Sequence, residues 1–164
     1  MDDALLRNAR ERYEFDRLTS EAARRSAPPI GPFTLAAENL SGIELVRRKP
    51  DPTDGSRYTD TYRTPDGAYV LVTIQRTRDS RAAHESLLHF LANSMAERLP
   101  RAQERGVELG DTAFANLAQP PTSIAFVRRN MFIKIALADA AAKADVARIA
   151  VAIDEQIAAA PAQP

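Results

Sequence analysis

RYTDTYRTPDGAYVLVTIQRT, residues 57–77, decides the fold class. Its two ends are rich in β-branched and aromatic residues. Between them Pro65, Asp66 and Gly67 form a turn, Asp-Gly being a strong short-range hairpin signal that the proline lengthens slightly. In the second run Val70, Val72 and Ile74 share one face, while Tyr69, Leu71, Thr73 and Gln75 share the other, so the first face is the expected core. Tyr58, Asp60 and Tyr62 likewise share one face of the first run, and Arg57 and Arg63 flank them on the opposite face.

Working outward, residues 43–49 read as a further strand, separated from the hairpin by the loop PDPTDG at 50–55. A helix follows over about 79–99, capped by Asp79 or Ser80 and closed by Pro100. Residues 107–118 suggest a strand, a tight turn at Gly110-Asp111 and a second short strand. SIAFVRRNMFIKIAL, residues 123–137, is a second hairpin turning near Arg129-Asn130. A last helix, over roughly 140–159, places Val146, Ile149, Ala150, Ile153 and Ile157 on one stripe. Strands, a hairpin and a helix thus occur twice in the same order. Short turns between sequential strands predict an α+β fold, an antiparallel sheet of about five to seven strands with both helices on one face. The tail at 160–164 is expected to be disordered.

Residues 2–25 read as one helix of strong helix formers, with oppositely charged pairs four apart, among them Arg12 with Asp16 and Arg17 with Glu21. Its apolar residues do not form one stripe: Leu5, Leu6, Ala9 and Tyr13 lie on one side, Phe15, Leu18 and Ala22 on another. This predicts a charged helical arm over residues 1–27, a Pro-rich linker at 28–32 and an α+β domain at 33–159. On this reading Leu5, Leu6, Tyr13, Phe15 and Leu18 serve a protein partner or a second copy of the chain. Acids interspersed among the arginines disfavour a membrane surface.

Composition narrows the classes. The 164 residues carry 22 basic and 22 acidic side chains, interspersed along the chain, which argues against a nucleic-acid binder. There is no cysteine, hence no disulfide, thiolate nucleophile or zinc ribbon. Of the 45% apolar residues, 30 are alanines, so the core is expected to be modest. No apolar run approaches the roughly 20 residues a spanning helix needs. A cytoplasmic location is expected if Met1 is the native start, a periplasmic or extracellular one if an upstream signal has been removed.

LGDTAFA (residues 109–115), the hairpin at 123–137, VARIAVAIDEQI (146–157) and the stretch at 62–87 together resemble a pattern of bacterial exported and lipoprotein-type α+β domains. The resemblance covers roughly residues 33–159 and implies an α+β domain of poorly characterised role, of a kind often found on the outer side of a membrane. It supplies no functional residues.

The chemical candidates are few. HESLLH, residues 84–89, is one residue away from the zinc-protease pattern HExxH, but helical ligands four apart diverge by about 40° and His84 and His89, five apart, by about 140°. His84 is placed at the edge of the buried stripe and His89 in water. No metal is expected. Asp60 between Tyr58 and Tyr62 reads either as a base in a polar cleft wall or as part of a solvent-facing strand with cross-strand pairing. Asp111 is expected to hydrogen-bond its own turn. Arg128 and Arg129 form a basic hairpin tip able to clamp an anion. Phosphate-loop, dinucleotide, nucleophile-elbow and calcium-loop motifs are all absent, and no cofactor is expected. The leading reading is a non-catalytic protein-binding or scaffold module exposing its N-terminal helix and an open sheet face. The alternative is a small-ligand binder or hydrolase using the sheet face around Tyr58, Asp60 and Tyr62.

Overall fold

The computed structural model describes residues 2–164. Six strands, β1 (Glu44–Pro50), β2 (Arg57–Arg63), β3 (Tyr69–Arg76), β4 (Thr112–Ala115), β5 (Ser123–Arg128) and β6 (Met131–Leu137), form one antiparallel sheet in the order β1-β2-β3-β6-β5-β4. The β2–β3 hairpin closes through Thr64 N–H to Ala68 O at 2.8 Å, with Gly67 at φ 88 where a side chain would be strained. A bulge between Leu45 and Arg47 interrupts the β1–β2 register. The two halves of the chain meet where β3 pairs β6, Val72 opposite Ile135 and Ile74 opposite Ile133.

Four helices, α1 (Asp3–Arg12), α2 (Phe15–Ala23), α3 (Ser80–Ala92) and α4 (Val146–Ala159), complete the α+β fold. They do not share a face. Val70, Val72, Ile74, Ile124, Phe126, Ile133 and Ile135 pack with the α4 stripe of Val146, Ile149, Ala150, Ile153 and Ile157. Phe114, Ala125, Val127 and Phe132 point the other way, into a second cluster with Ala83, Leu87, Leu88 and Leu91 of α3 and with α1 and α2. The expectation of α3 and α4 on one face is therefore corrected, and the reason lies in β5 and β6. Ile124, Ala125, Phe126 and Val127 are buried in succession, as are Met131, Phe132 and Ile133. A strand apolar at consecutive positions needs cover on both faces.

The N-terminal segment is also corrected. Instead of one helix, the chain breaks at Glu14, which adopts φ 47 in the left-handed region, and α2 starts at Phe15. The break turns the second apolar patch toward the first: Ala9, Tyr13, Phe15, Leu18 and Ala22 are all buried. It also redirects the charges, Arg10 rather than Arg12 pairing with Asp16 at 2.6 Å. The Tyr13 hydroxyl accepts from Leu99 N–H at 2.8 Å, and the Tyr13 ring meets Phe114 edge-on at 5.2 Å. Arg10 reaches Glu85 of α3 at 3.0 Å. This is core structure, not an arm, and of the five residues assigned to a partner only Leu5 is exposed.

The linker at 28–32 is docked as well. Ile30 is buried and exchanges both backbone bonds with the Asn130 amide, at 2.8 and 3.0 Å. Residues 160–164, expected to be disordered, lie along it: Ala162 bridges Ile30, and Gln163 N–H donates to Pro29 O at 2.8 Å. The helices are shorter than predicted, α3 ending at Ala92 and α4 starting at Val146, where Asp145 caps Arg148 N–H at 3.0 Å. Residues 107–109 form no strand.

Candidate functional site

The structure brings Tyr58, Asp60 and Tyr62 together, but on the covered face. Asp60 is fully buried rather than solvent-facing. One oxygen accepts Arg48 Nε at 2.7 Å, and the other accepts Arg48 Nη2 at 2.7 Å and the Tyr62 hydroxyl at 2.9 Å. Arg48 Nη2 also donates to Leu35 O at 3.0 Å, Leu35 N–H donates to the Tyr58 hydroxyl at 3.0 Å, and the guanidinium lies 4.9 Å from the Tyr58 ring centroid. Burial first, then the Asp60 charge, push the Tyr62 phenol above its ordinary value. The hydrogen bonds to Asp60 raise the Arg48 guanidinium, against burial, which lowers it. With both carboxylate oxygens engaged, the network ties the segment around Leu35 across β1 and β2. Asp60 is thus neither a cleft base nor a solvated pair. Arg48, which completes the network, carries no motif of its own and was legible only as one of two adjacent arginines.

Arg128 and Arg129 turn inward too. Arg128 grips Asp154 of α4 through two bonds of 2.7 Å and reaches Asp111 at 3.5 Å. Asp111, expected to serve its own turn, instead accepts Arg129 N–H at 2.7 Å and the Ser26 hydroxyl at 3.0 Å. Arg129, at φ 58, donates to Pro28 O at 2.5 Å and to Ala160 O at 2.6 Å, satisfying a carbonyl at the end of α4. Burial lowers its guanidinium pKa, whereas the bonds to Asp154 raise that of Arg128. The basic tip is therefore a clamp for the chain's own termini.

His84 lies inside the core, not at its edge. Its Nδ1 is 2.7 Å from Ser80 O, which can only accept, so Nδ1 carries the proton and Nε2 accepts from the Thr112 hydroxyl at 2.9 Å. Burial lowers its pKa. Among the described residues no three His, Asp or Glu side chains converge in a way that could hold a metal ion.

Two further surfaces stand out. The first is a cleft of about 490 Å³ between the β2–β3 turn, residues 39–43 and the start of α4. Leu40, Ile43 and Ile149 floor it, but its rim mixes Lys143 and Arg148 with Asp66, Asp145 and Glu155, so no one ligand charge is selected. The second is the half of the sheet that α3 leaves uncovered. Here the register sets Lys49 beside Thr59, Thr59 beside Thr73 and Thr73 beside Lys134, with Arg47, Thr61 and Leu71 forming the next row. Arg57 and Arg63 lie on the same face. Tyr69 is 45% and Leu71 37% exposed. Glu44 neutralises Arg63 at 2.9 Å, and Arg57 lies 4.0 Å from Asp51. Among the described residues Arg47 and Lys49 have no ion-pair partner, and Lys134 faces only the Phe90 ring, at 5.4 Å. This basic face was missed in the sequence because Arg48, one residue away from Arg47 and Lys49, points to the opposite side. Strand alternation is the signal that separates them.

Set against known proteins, the chain matches no family model, no curated protein and no solved structure. Among the described residues no helix is long and apolar enough to cross a membrane.

Proposed function

We propose that the chain is a non-catalytic protein-binding module whose docking surface is the uncovered β1–β3 part of the sheet, and that its partner lays an acidic segment across that surface. One observation carries this reading: in a chain with no net charge, Arg47, Lys49 and Lys134 are gathered without acidic partners around the exposed Leu71. Complementary charge steers such an encounter and sets its register, while Leu71 and Tyr69 supply apolar contact. A single exposed ring, Tyr69, favours a protein over single-stranded nucleic acid, which needs a series of stacking rings. The hydrolase alternative loses its base, since Asp60 is held by Arg48 and Tyr62.

A photo-crosslinking residue at position 71, placed in the source cells, tests this against the same residue at position 5 on α1. The expected result is one discrete protein adduct from position 71 that disappears in the Arg47→Glu/Lys49→Glu variant. Adducts from position 5 alone, or none from position 71, would overturn the reading.

A further inference from the structure

Among the described residues Arg101 Nε is the one buried side-chain nitrogen or oxygen without a hydrogen-bond partner. Its residue is held from several sides. Arg101 N–H donates to Glu104 at 2.6 Å, the backbone bridges Phe114 at the outer edge of β4, and the guanidinium carbon lies 5.7 Å from the Phe114 ring centroid. Arg101 lines a polar pocket of about 260 Å³ together with Arg25, Gln103, Glu108, Asp111 and Ala113. The ladder turns a further donor toward this edge. Ala115 N–H leaves the sheet for Pro100 O at 3.1 Å, whereas Asn116 N–H turns inward to Ser123 O at 3.0 Å. By strand period, Ala113 N–H lies on the same outer side as that of Ala115.

Of the nearby acids, Asp111 is held by Ser26, Arg128 and the Arg129 N–H, Glu104 accepts the Arg101 N–H and Glu21 pairs with Arg17 at 3.5 Å, while Glu108 shares the pocket lining. Burial lowers the Arg101 pKa, an effect that attraction to Glu21 and Glu104 opposes. A guanidinium still stays charged at any working pH.

We propose that this pocket binds a small oxyanion, a phosphate or carboxylate group, gripped by the Arg101 and Arg25 guanidinium groups with the Ala113 N–H as an additional donor. The inference is independent of the sheet-face reading. Guanidinium geometry suits two-point contact with either group, and the clamped backbone prepays the ordering of Arg101.

The test uses the full chain at constant ionic strength, titrated calorimetrically with inorganic phosphate and separately with acetate, while the Arg101 Nε–H resonance is followed by NMR. Saturable one-to-one binding that shifts that resonance is expected. Phosphate binding tighter than acetate assigns a phosphate group, and the reverse a carboxylate. Arg101→Gln should weaken binding by roughly tenfold or more, the exposed Arg25→Gln should also weaken it, and Arg7→Gln should leave it unchanged. Arg25→Gln keeps the question open to test even if Arg101→Gln does not fold. No saturable binding of either ion, or binding that leaves the Arg101 resonance unmoved, would overturn the proposal.

Discussion

At the scale of single residues, the polar groups that most invited a catalytic reading are those the fold has used up. Asp60 cannot lose Arg48 without becoming a buried unpaired carboxylate, so Arg48→Met should destabilise the chain by about 3–5 kcal/mol. The double variant Arg48→Met/Asp60→Leu should recover part of that loss, which a denaturant-unfolding cycle would measure. His84 makes a second prediction. Its folded pKa lies below the ordinary value of 6.5, so the unfolded chain takes up a proton that the folded one resists. Its contribution is full above about pH 6.5 and is lost as pH falls from there through the folded value. Glu85 and Asp111, the acids whose charges reach the ring, oppose the shift without cancelling it. Urea midpoints from pH 7.5 to 5 should therefore fall more steeply in the wild type than in His84→Gln. Equal slopes would show that the ring is accessible to protons in the folded state. Asp60 and His84 stood out in the sequence as chemical candidates, but their burial and their partners did not, because Arg48 and Thr112 reach them across strands and from different elements.

At the scale of elements, α1 and α2 show how one backbone torsion changes a segment's role. A straight helix over residues 2–25 would carry its apolar groups on two sides. The left-handed turn at Glu14 sends both groups into one cluster with α3. Deleting residues 1–27 removes the Tyr13 ring from Phe114, takes Ala9, Phe15 and Leu18 out of the cluster they share with α3, and removes the Ser26 bond to Asp111. The truncated chain should therefore lose its cooperative melt and bind a hydrophobic dye, whereas a sharp transition would restore the arm reading. Gly110 makes a similar point on a smaller scale. At φ 67, and with an added Cβ meeting Val127 O at 2.7 Å, Gly110→Ala should cost more than about 1 kcal/mol in the same assay.

At the scale of the whole molecule, a chain of 22 basic and 22 acidic residues sets Arg47, Lys49 and Lys134 together on one sheet face. Arg47→Glu/Lys49→Glu should leave stability within about 0.5 kcal/mol, since neither side chain is buried or paired. The same variant should abolish capture through position 71, and wild-type capture should weaken with added salt. Unchanged capture would place the partner elsewhere. Apart from the strand expected at 107–109, which does not form, the sequence by itself determined the strands, the hairpins, the antiparallel order within each half and the buried face of Val70, Val72 and Ile74, because those depend on turn chemistry and a period of two that act over a few residues. Tertiary structure alone decided that β3 and β6 join the halves, that α3 and α4 divide the two faces, and that Arg47, Lys49 and Lys134 share one surface. Each of these depends on which distant segment supplies the cover for an apolar face, and burial is settled by the whole set of packed elements rather than by any one of them.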